Sequence, residues 1–500
     1  MLRLCLGVVT LAIVSPAHAE FVYRGYIMSD ARVSLPGKTP PAGQDALRFM
    51  RLDNSARLTT RFGTDGVQAH VDLLTTYRGG HADLQLEDLS RRTETDPFDV
   101  ESDALYVHVS DILVEGLDLM VGRQIVNWGA ADQFNPTSVL NPLDLEDPTR
   151  FGDRVANEML LLRYSAPWSW YGESVTYFDE LSLTFAAVPT HRPGQLPDNA
   201  SDVFADPDLF VQFVNNETLK GFGAIQKTII GYDAEFDYET QVASRGARFK
   251  EAQLAARMSA IVLGVDASAM VFKGVSDVLE PERIGVQFEL PAGIEVPGLD
   301  ELDALDEFLG LVGPALAGMQ IPVTVELGYP EVEVVGFDFS TSLDAIGGLG
   351  LWVEAALTKH DAVMVSLDAG ALGTLELTEV EKGSFWKVAA GTDYSILSWW
   401  YVNAQYLHGF VDEFGADDLD DYVVVASDLK FDSDRLLLRL ATIYQIQDQS
   451  YVVYPQLSST HWQNTALSLG AFIMGGADDS KFGSPAAGQS RLFFNARHSF

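Results

Sequence analysis

The stretch Gln489–Phe500, with the sequence QSRLFFNARHSF, decides the fold. Its residues alternate between a mostly polar face and a mostly apolar face, and this period of two is typical of a β-strand. Its length is enough to cross a tilted bilayer as one strand. The apolar face consists of Leu492, Phe494, Ala496, His498 and Phe500.

A membrane-crossing strand needs hydrogen-bonded neighbours on both edges, because lipid offers no partner for backbone N–H and C=O groups. Only a closed barrel supplies neighbours on both sides of every strand. By itself the stretch fits the edge strand of a soluble β-sandwich equally well. The rest of the chain has to decide between the two folds.

Residues 1–19 have the pattern of a secretory signal peptide. Arg3 precedes the apolar run Leu4–Val14, and Ala17-His18-Ala19 matches a small-residue cleavage site. We therefore expect residues 20–500 to form the mature protein as a single barrel domain. The only cysteine, Cys5, lies in the predicted leader, so we expect no disulfide, no thiolate metal site, no bound metal and no cofactor.

The chain is strongly acidic, with 33 Lys and Arg against 71 Asp and Glu and a formal net charge of −38. This balance argues against nucleic acid as a partner. Beyond the leader, no uninterrupted apolar run is long enough for a membrane-spanning helix. A large barrel or several soluble domains remain.

Alternation recurs through the chain. In Leu47–Phe62 apolar and charged residues take turns, the Thr64-Asp65-Gly66 turn follows, and Val67–Arg78 alternates again. We predict about 18 strands, or 16 if Phe21–Met28 and Ser450–Leu457 are not strands. The others are predicted at Asp103–Ile112, Leu117–Trp128, Asn157–Ala166, Val175–Val188, Glu251–Val262, Val265–Val275, Glu331–Leu343, Leu349–Thr358, Phe385–Ser395, Trp400–Val411, Asp421–Phe431, Arg435–Gln447 and Asn464–Gly475.

The lengths of the connections favour the barrel. Short turns alternate with long connections along the chain, and the longest are residues 189–250 and 276–330. Transmembrane barrels have short periplasmic turns and long extracellular loops, whereas a sandwich has no reason to sort its loops in this way. Within the second loop, Val296–Met319 has apolar residues at helical spacing, so we expect that loop to be partly helical, either packed on itself or folded over the pore.

Acidic residues are concentrated in the predicted extracellular loops, for example in Asp198–Asp208 and Glu295–Glu307. They either keep the exposed loops soluble or bind divalent cations that bridge to lipopolysaccharide phosphates. The expected surroundings are outer-membrane lipid and lipopolysaccharide of a Gram-negative bacterium.

Charged residues on the polar strand faces should point into the lumen, since a charge facing lipid at mid-depth costs roughly 2–4 kcal/mol. They either set solute selectivity or pair with wall carboxylates and stiffen the barrel. These candidates are Arg51, Arg57, Arg61, Arg257, Asp338, Glu354, Lys387, Asp393, Arg435, Arg439, Arg491 and Arg497.

Arg123 follows Leu119 and Val121 in the apolar phase of its strand. We hypothesise that a bulge at Gly122 turns Arg123 into the lumen. The Asn135-Pro136 and Asn141-Pro142 turns would then fold the following loop toward the pore.

Three segments resemble a family of proteobacterial porin-like outer-membrane proteins of unknown function. They are Val121–Leu143 (VGRQIVNWGAADQFNPTSVLNPL), Tyr329–Ala356 and Lys387–Glu413. The resemblance implies a monomer-type barrel that passes hydrophobic or amphipathic solutes and is not an enzyme. We expect a channel for small, amphipathic or hydrophobic solutes, with its selectivity set by the charges of the lumen and by infolded loops. The terminal Phe500 also resembles the signal that such barrels present to their assembly machinery.

Two other functions stay open: a plugged barrel that serves as a scaffold or sheath for a partner protein, and an outer-membrane hydrolase. A hydrolase needs Ser, His and an acid or Asn in contact. His461 lies near Ser458 and Ser459, but no nucleophile elbow is present.

Overall fold

The computed structural model describes residues 20–35, 48–79, 95–171, 176–196, 210, 214, 216–242, 252–287, 317–368, 373–484 and 487–500. The predicted signal peptide lies outside this part of the chain. So does almost all of the helix predicted over Val296–Met319.

The chain is built mainly of β-strands, and its longest described helix is α1, Glu217–Ile230. The strands are β1 Glu20–Ser34, β2 Arg48–Gly63, β3 Val67–Gly79, β4 Phe98–Val109, β5 Leu117–Gln124, β6 Asn157–Ser165, β7 Trp170–Tyr171, β8 Thr176–Val188, β9 Glu235–Val242, β10 Gln253–Val262, β11 Val265–Val275, β12 Glu280–Val286, β13 Gln320–Gly328, β14 Glu331–Leu343, β15 Leu349–His360, β16 Val363–Asp368, β17 Thr374–Val380, β18 Gly383–Leu397, β19 Trp400–His408, β20 Asp421–Phe431, β21 Leu436–Gln445, β22 Tyr451–Trp462, β23 Thr465–Gly475 and β24 Arg491–Ser499.

Eighteen of these strands close into one antiparallel barrel. Each pairs with the next barrel strand along the chain, and β24 returns to pair with β1 from Tyr26–Ser499 to Ser34–Arg491. The short β7 adds to the edge of β8 beyond the end of β6. The prediction of 18 strands is confirmed, because both strands that would have been lost in a 16-stranded barrel, β1 and β22, are present.

The alternation of each strand sets which face is outside. On β2, Leu52 and Leu58 are 37% and 42% exposed, whereas Asp53 and Ser55 on the opposite face are buried. Large apolar side chains are likewise exposed around the whole ring, among them Leu105, Val271, Leu440 and Phe494. An apolar outer face with charges turned inward is the arrangement of a transmembrane barrel.

Short turns collect at one end of the barrel, the turn end, and long connections at the other, the loop end. Leu263 and Gly264 form one two-residue turn, with φ of 55° and 80°, the backbone that a tight hairpin requires. The predicted separation of short and long connections is confirmed. Among the described residues, no helix is long and apolar enough to cross a membrane.

The long connections build a second unit, the cap, at the loop end. Strands β9, β12, β13, β16 and β17 form a five-stranded sheet in the order β17-β16-β12-β13-β9, with parallel pairing of β12 to β16 and of β13 to β9. Helix α1 packs on this sheet, and Leu219 and Ile229 are buried against Ile321 and Val325.

The described helix α1 lies in the 189–250 loop, where the sequence analysis placed no helix. The helix predicted in the 276–330 loop, at Val296–Met319, lies almost entirely outside the described residues and stays a prediction. The first turn of α1 is fixed by Asn216, whose side chain accepts hydrogen bonds from the backbone N–H groups of Thr218 and Leu219. The five cap strands were not predicted.

Candidate functional site

The connection between β5 and β6, residues 125–156, leaves the wall and folds into the lumen. We call it the infolded segment. Its Trp128 and Leu140 are 4% and 2% exposed and pack with Met159 and Met270 of the inner wall. Its Phe134 packs instead in a cluster with Leu407 and Tyr422. The segment therefore replaces water across part of the barrel interior.

Asn141 holds together the two ends of the infolded segment, which we call its neck. Its side chain is fully buried, accepts a hydrogen bond from the N–H of Val126 (2.8 Å) and donates to the carbonyls of Gln124 and Val155 (3.0 Å each). One amide thus joins the two chain ends where they leave the wall. The predicted inward fold of the Asn-Pro turns is observed.

Glu354 of β15 anchors the segment to the wall. This carboxylate is fully buried. It accepts hydrogen bonds from the N–H groups of Ala130, Ala131 and Thr137 (3.0, 3.0 and 2.7 Å) and from the Thr137 hydroxyl (2.8 Å). Gly129 has φ of 98°, and a Cβ there would lie 2.3 Å from the Glu354 Oε2. The close approach of backbone to carboxylate therefore requires glycine at this position.

Ion pairs tie the other side of the segment to β1, β2 and β3. Arg32 contacts Asp147 at 2.6 Å, and Arg51 binds Glu146. Arg78 reaches Glu146 at 3.8 Å. Burial alone would raise the pKa of Asp147, but the Arg32 charge and its hydrogen bonds outweigh burial and hold that pKa below its usual value. The segment is thus attached to two different arcs of the wall.

A charged cavity of about 230 Å³ remains between the infolded segment and β2–β4. Arg57 projects toward it with 26% of its side chain exposed, and pairs with Asp72 at 2.9 Å and with Asp103. The register shift between Asp72 and Leu74 against β4 brings Asp103 to the inner face. Other charged lining residues are Glu101, Asp144, Arg150, Asp153, Arg154 and Arg192.

Further candidates pair with wall carboxylates. Arg257 hydrogen-bonds Ser268 at 3.0 Å and approaches Asp338 at 3.5 Å. Arg439 binds Asp428 through two hydrogen bonds of 2.7 and 2.6 Å. These contacts match the alternative in which inward arginines stiffen the wall.

Lys387 and Asp393 lie on β18. Lys387 donates to the Phe410 carbonyl at 2.5 Å. It also lines a mostly apolar pocket of about 130 Å³, together with two other charged residues, Arg154 and Asp277. Asp393 lies opposite Gly350 and Asn403 in the register. Asn403 is buried on the inner face, so Asp393 shares that face.

Several predicted residues lie near the turn end, away from the infolded segment. Arg61 is 4.0 Å from Glu20, and the guanidinium of Arg497 lies 4.2 Å from the centre of the Tyr26 ring. Arg491 lies instead at the loop end, where it pairs with Ser34 of β1 in the register and donates to the Gln489 carbonyl at 3.2 Å. Arg435 was expected on the wall but lies in the turn before β21, where it binds Asp432 at 2.7 Å.

Arg123 corrects the expectation of a bulge at Gly122. The β4–β5 register runs from Leu105–Arg123 to Val109–Leu119 without a shift, so the structure has no bulge at Gly122. Arg123 stays in register with Leu105, which is 55% exposed, and pairs with Glu158 of β6 at 2.6 Å. A neighbouring carboxylate satisfies its charge without a change of face.

Phe500 closes the seam of the barrel. Its backbone exchanges two hydrogen bonds with Gly25, of 3.0 and 2.9 Å. Its ring lies against Gly25, where a Cβ would come within 2.7 Å of the ring. The terminal residue is therefore part of the β1–β24 closure.

Sequence reasoning missed the acidic partners. Asp53, which contacts Arg51 at 2.9 Å, and Asp72 lie in the same phase as the arginines. The alternation that selected Arg51 and Arg57 could therefore have selected them too. Glu146 and Asp147 carry no such signal, because they lie in a connection. Only the fold brings them to Arg51 and Arg32.

No family model matches the chain, and no curated protein matches it. Solved structures that resemble it include Acinetobacter baumannii OccAB1, with 11% identity, 96% of each chain covered and a TM-score of 0.46. Pseudomonas aeruginosa OpdK with vanillate has 8% identity, 96% and 98% coverage and a TM-score of 0.46. The outer membrane channel DcaP of A. baumannii has 10% identity, 97% and 99% coverage and a TM-score of 0.36.

These values are too low to carry residue roles or solutes from those channels to this chain. The architecture rests on the strand pairing of the chain itself. By that pairing, the protein is a closed, eighteen-stranded antiparallel β-barrel.

Proposed function

We propose that the protein is an outer-membrane channel in which small solutes pass between the infolded segment and the β2–β4 wall. The observation that carries this proposal is the charged cavity beside a segment anchored on two arcs of the wall. A segment held in this way narrows the lumen without being free to block it.

The membrane location is supported by the outer face of the barrel, where exposed Leu, Val and Phe side chains ring the wall. The predicted leader and the closed barrel together favour the Gram-negative outer membrane. Contact of the acidic loops with lipopolysaccharide through divalent cations is part of the same proposal.

Selectivity is assigned to the charged lining. Arg57 presents a partly exposed guanidinium beside the carboxylates of Asp103 and Glu101. Opposite charges on one narrow surface favour polar or amphipathic solutes that carry their own charge or dipole.

Single-channel conductance in planar bilayers tests the proposal. We expect stable current steps for the refolded protein, and a changed reversal potential in a salt gradient for Arg57→Gln. The control is Lys273→Gln, since Lys273 lies on β11 with its side chain 74% exposed and paired with Glu333. A reversal potential that Arg57→Gln leaves equal to that of the control would contradict the assigned passage.

A second candidate is a plugged barrel that serves as a scaffold for a partner. The buried clusters around Trp128 and Phe134, which fill part of the lumen, favour it. Folded protein without conductance would support this candidate over the channel.

A further inference from the structure

A hydrogen-bonded Ser–His–Asp relay lies at the turn end of the barrel. The Ser459 hydroxyl is 2.8 Å from the Nδ1 of His461, and the Nε2 of His461 is 2.7 Å from Oδ2 of Asp432. Ser459 and His461 are two residues apart on β22, so they share one face, and Asp432 comes from the turn between β20 and β21. The three groups of a serine hydrolase are thus in contact, with Nδ1 toward the serine and Nε2 toward the acid, the reverse of the usual order of the two ring nitrogens.

The relay faces outward. Ser459 is in phase with Leu457, which is 44% exposed and lies opposite Leu438, itself 40% exposed. His461 retains 40% of its side-chain exposure, and the adjacent Trp462 is 57% exposed. An indole next to exposed leucines is typical of the boundary between lipid and water.

The backbone around the relay is irregular on both sides. The β22–β23 register shifts between Ser459 and Trp462, as at bulges that re-aim side chains. Asp432, Ser433 and Asp434 all have left-handed φ, of 52°, 54° and 65°, a costly run for residues other than glycine. Arg435 contacts the Asp432 carboxylate at 2.7 Å and so helps to hold it in place.

We propose that Ser459, His461 and Asp432 form an ester-hydrolysing site on the outer face of the barrel, acting on acyl esters of amphipathic lipids. The lipid class rests on the proposed membrane location, because it follows from the exposed apolar surface around the relay. Asp432 accepts the Nε2–H of His461 and so leaves Nδ1 unprotonated toward Ser459.

In the first step the Ser459 Oγ forms a bond to the ester carbonyl carbon while its proton passes to Nδ1 of His461. The bond from that carbon to the alkoxy oxygen then breaks, and His461 returns the proton to the leaving alcohol. Water hydrolyses the acyl-serine in the same manner and releases a carboxylic acid. Asp432 is a positioning residue that also stabilises the imidazolium.

The test uses the full mature chain, folded in detergent micelles, with an alkyl fluorophosphonate and p-nitrophenyl butyrate as probes. We expect labelling at Ser459 and ester cleavage in the wild type, with both reduced at least about a hundredfold in Ser459→Ala. The matched control is Ser458→Ala, since the Ser458 hydroxyl lies 2.8 Å from that of Ser468 on the inner face. Folded protein without labelling, or labelling that persists in Ser459→Ala, overturns the site.

Two further measurements test the role of Asp432 and the class of ester that the site cleaves. Asp432→Asn should lower kcat for p-nitrophenyl butyrate and leave KM nearly unchanged, because the imidazole of His461 loses the carboxylate that positions it; an unchanged kcat overturns the role of Asp432. Vesicles of phosphatidylethanolamine test the lipid class, and cleavage of the soluble ester alone overturns it.

Because Ser459 faces outward, Ser459→Ala should keep the wild-type conductance, so the site and the channel can fail independently.

Discussion

At the scale of single residues, two buried polar side chains position the infolded segment. Asn141 satisfies three backbone groups at the neck, and Glu354 satisfies four donors from Ala130, Ala131 and Thr137. Buried polar groups that are fully hydrogen-bonded specify one arrangement, since any displacement leaves them unpaired.

Glu354→Gln should loosen the infolded segment. In the wild type, both carboxylate oxygens of Glu354 accept hydrogen bonds. Glutamine replaces one of these oxygens by an NH2 group, which cannot accept from the donors that face it. We therefore expect a loss of roughly 2–4 kcal/mol in the free energy of unfolding. Urea titration followed by intrinsic fluorescence measures it, with an increase in mean conductance as the second readout. The matched control is Glu333→Gln on β14, whose side chain is 52% exposed; equal losses in both variants would contradict the anchor.

At the scale of elements, the seam between β1 and β24 decides whether the barrel closes. Arg497 lies over Tyr26 and Phe500 pairs with Gly25, so the last residues of the chain complete the first strand. A closed seam removes the two free edges that lipid cannot satisfy.

Gly25→Ala should impair closure. The added Cβ would lie 2.3 Å from the Arg57 carbonyl oxygen and 2.7 Å from the Phe500 ring, an overpacking that costs about 1–3 kcal/mol. Heat-dependent gel mobility measures the folded fraction after refolding. Gly66→Ala is the control, because a Cβ there meets nothing within 4 Å, and similar refolding of both variants would refute the prediction.

The cap should lose stability as pH rises. Burial, followed by the charges of Glu379 and Asp418, raises the pKa of Glu280 from 4.5 to about 8. The folded cap thus holds a proton that the unfolded chain releases, so this contribution is complete below about pH 4.5 and is lost as pH rises to about 8.

The size of this effect is on the order of 5 kcal/mol, and limited proteolysis of the cap between pH 4 and 9 measures it. Glu280→Gln should flatten the pH dependence, because an amide does not titrate. Glu282→Gln, at an exposed neighbouring position of β12, is the control. A pH dependence that survives in Glu280→Gln would show that another group causes it.

At the scale of the whole molecule, the lumen of the barrel is partly filled by one connection, the infolded segment. The inner arc that the infolded segment covers is apolar, with Met270, Phe272 and Val334 all buried. The opposite arc is charged and leaves the cavity beside Arg57 open. The width of the proposed passage is therefore set by the infolded segment more than by the number of strands.

Replacement of residues 126–155 by a short Gly-Ser linker should widen the lumen. We expect at least about a twofold rise in single-channel conductance and a less stable barrel, since the apolar inner arc is then exposed to water. Heat-dependent gel mobility confirms that the variant is folded. An unchanged conductance in folded protein would mean that the segment does not limit the passage.

The sequence alone was sufficient for the number, direction and facing of the barrel strands. Alternation such as that of Leu52 and Asp53 is a local property of the sequence. Because the outer face of the barrel is apolar and the inner face is polar, the polarity of each residue predicts the face on which its side chain lies. It was not sufficient where a local signal was wrong. Arg123 keeps the outer phase because Glu158 pairs with it, and Arg435 lies in the turn with Asp432.

Tertiary structure decided the contents of the lumen, the cap and the relay at Ser459. Each depends on residues far apart in the chain, such as Thr137 and Glu354, which are 217 positions apart, or the parallel pairing of β9 with β13. No periodicity encodes such a contact, because its free energy arises only when closure of the barrel brings the partners together. The alternation of residues along each strand therefore predicts the barrel wall, whereas the proposed passage depends on the tertiary position of the infolded segment.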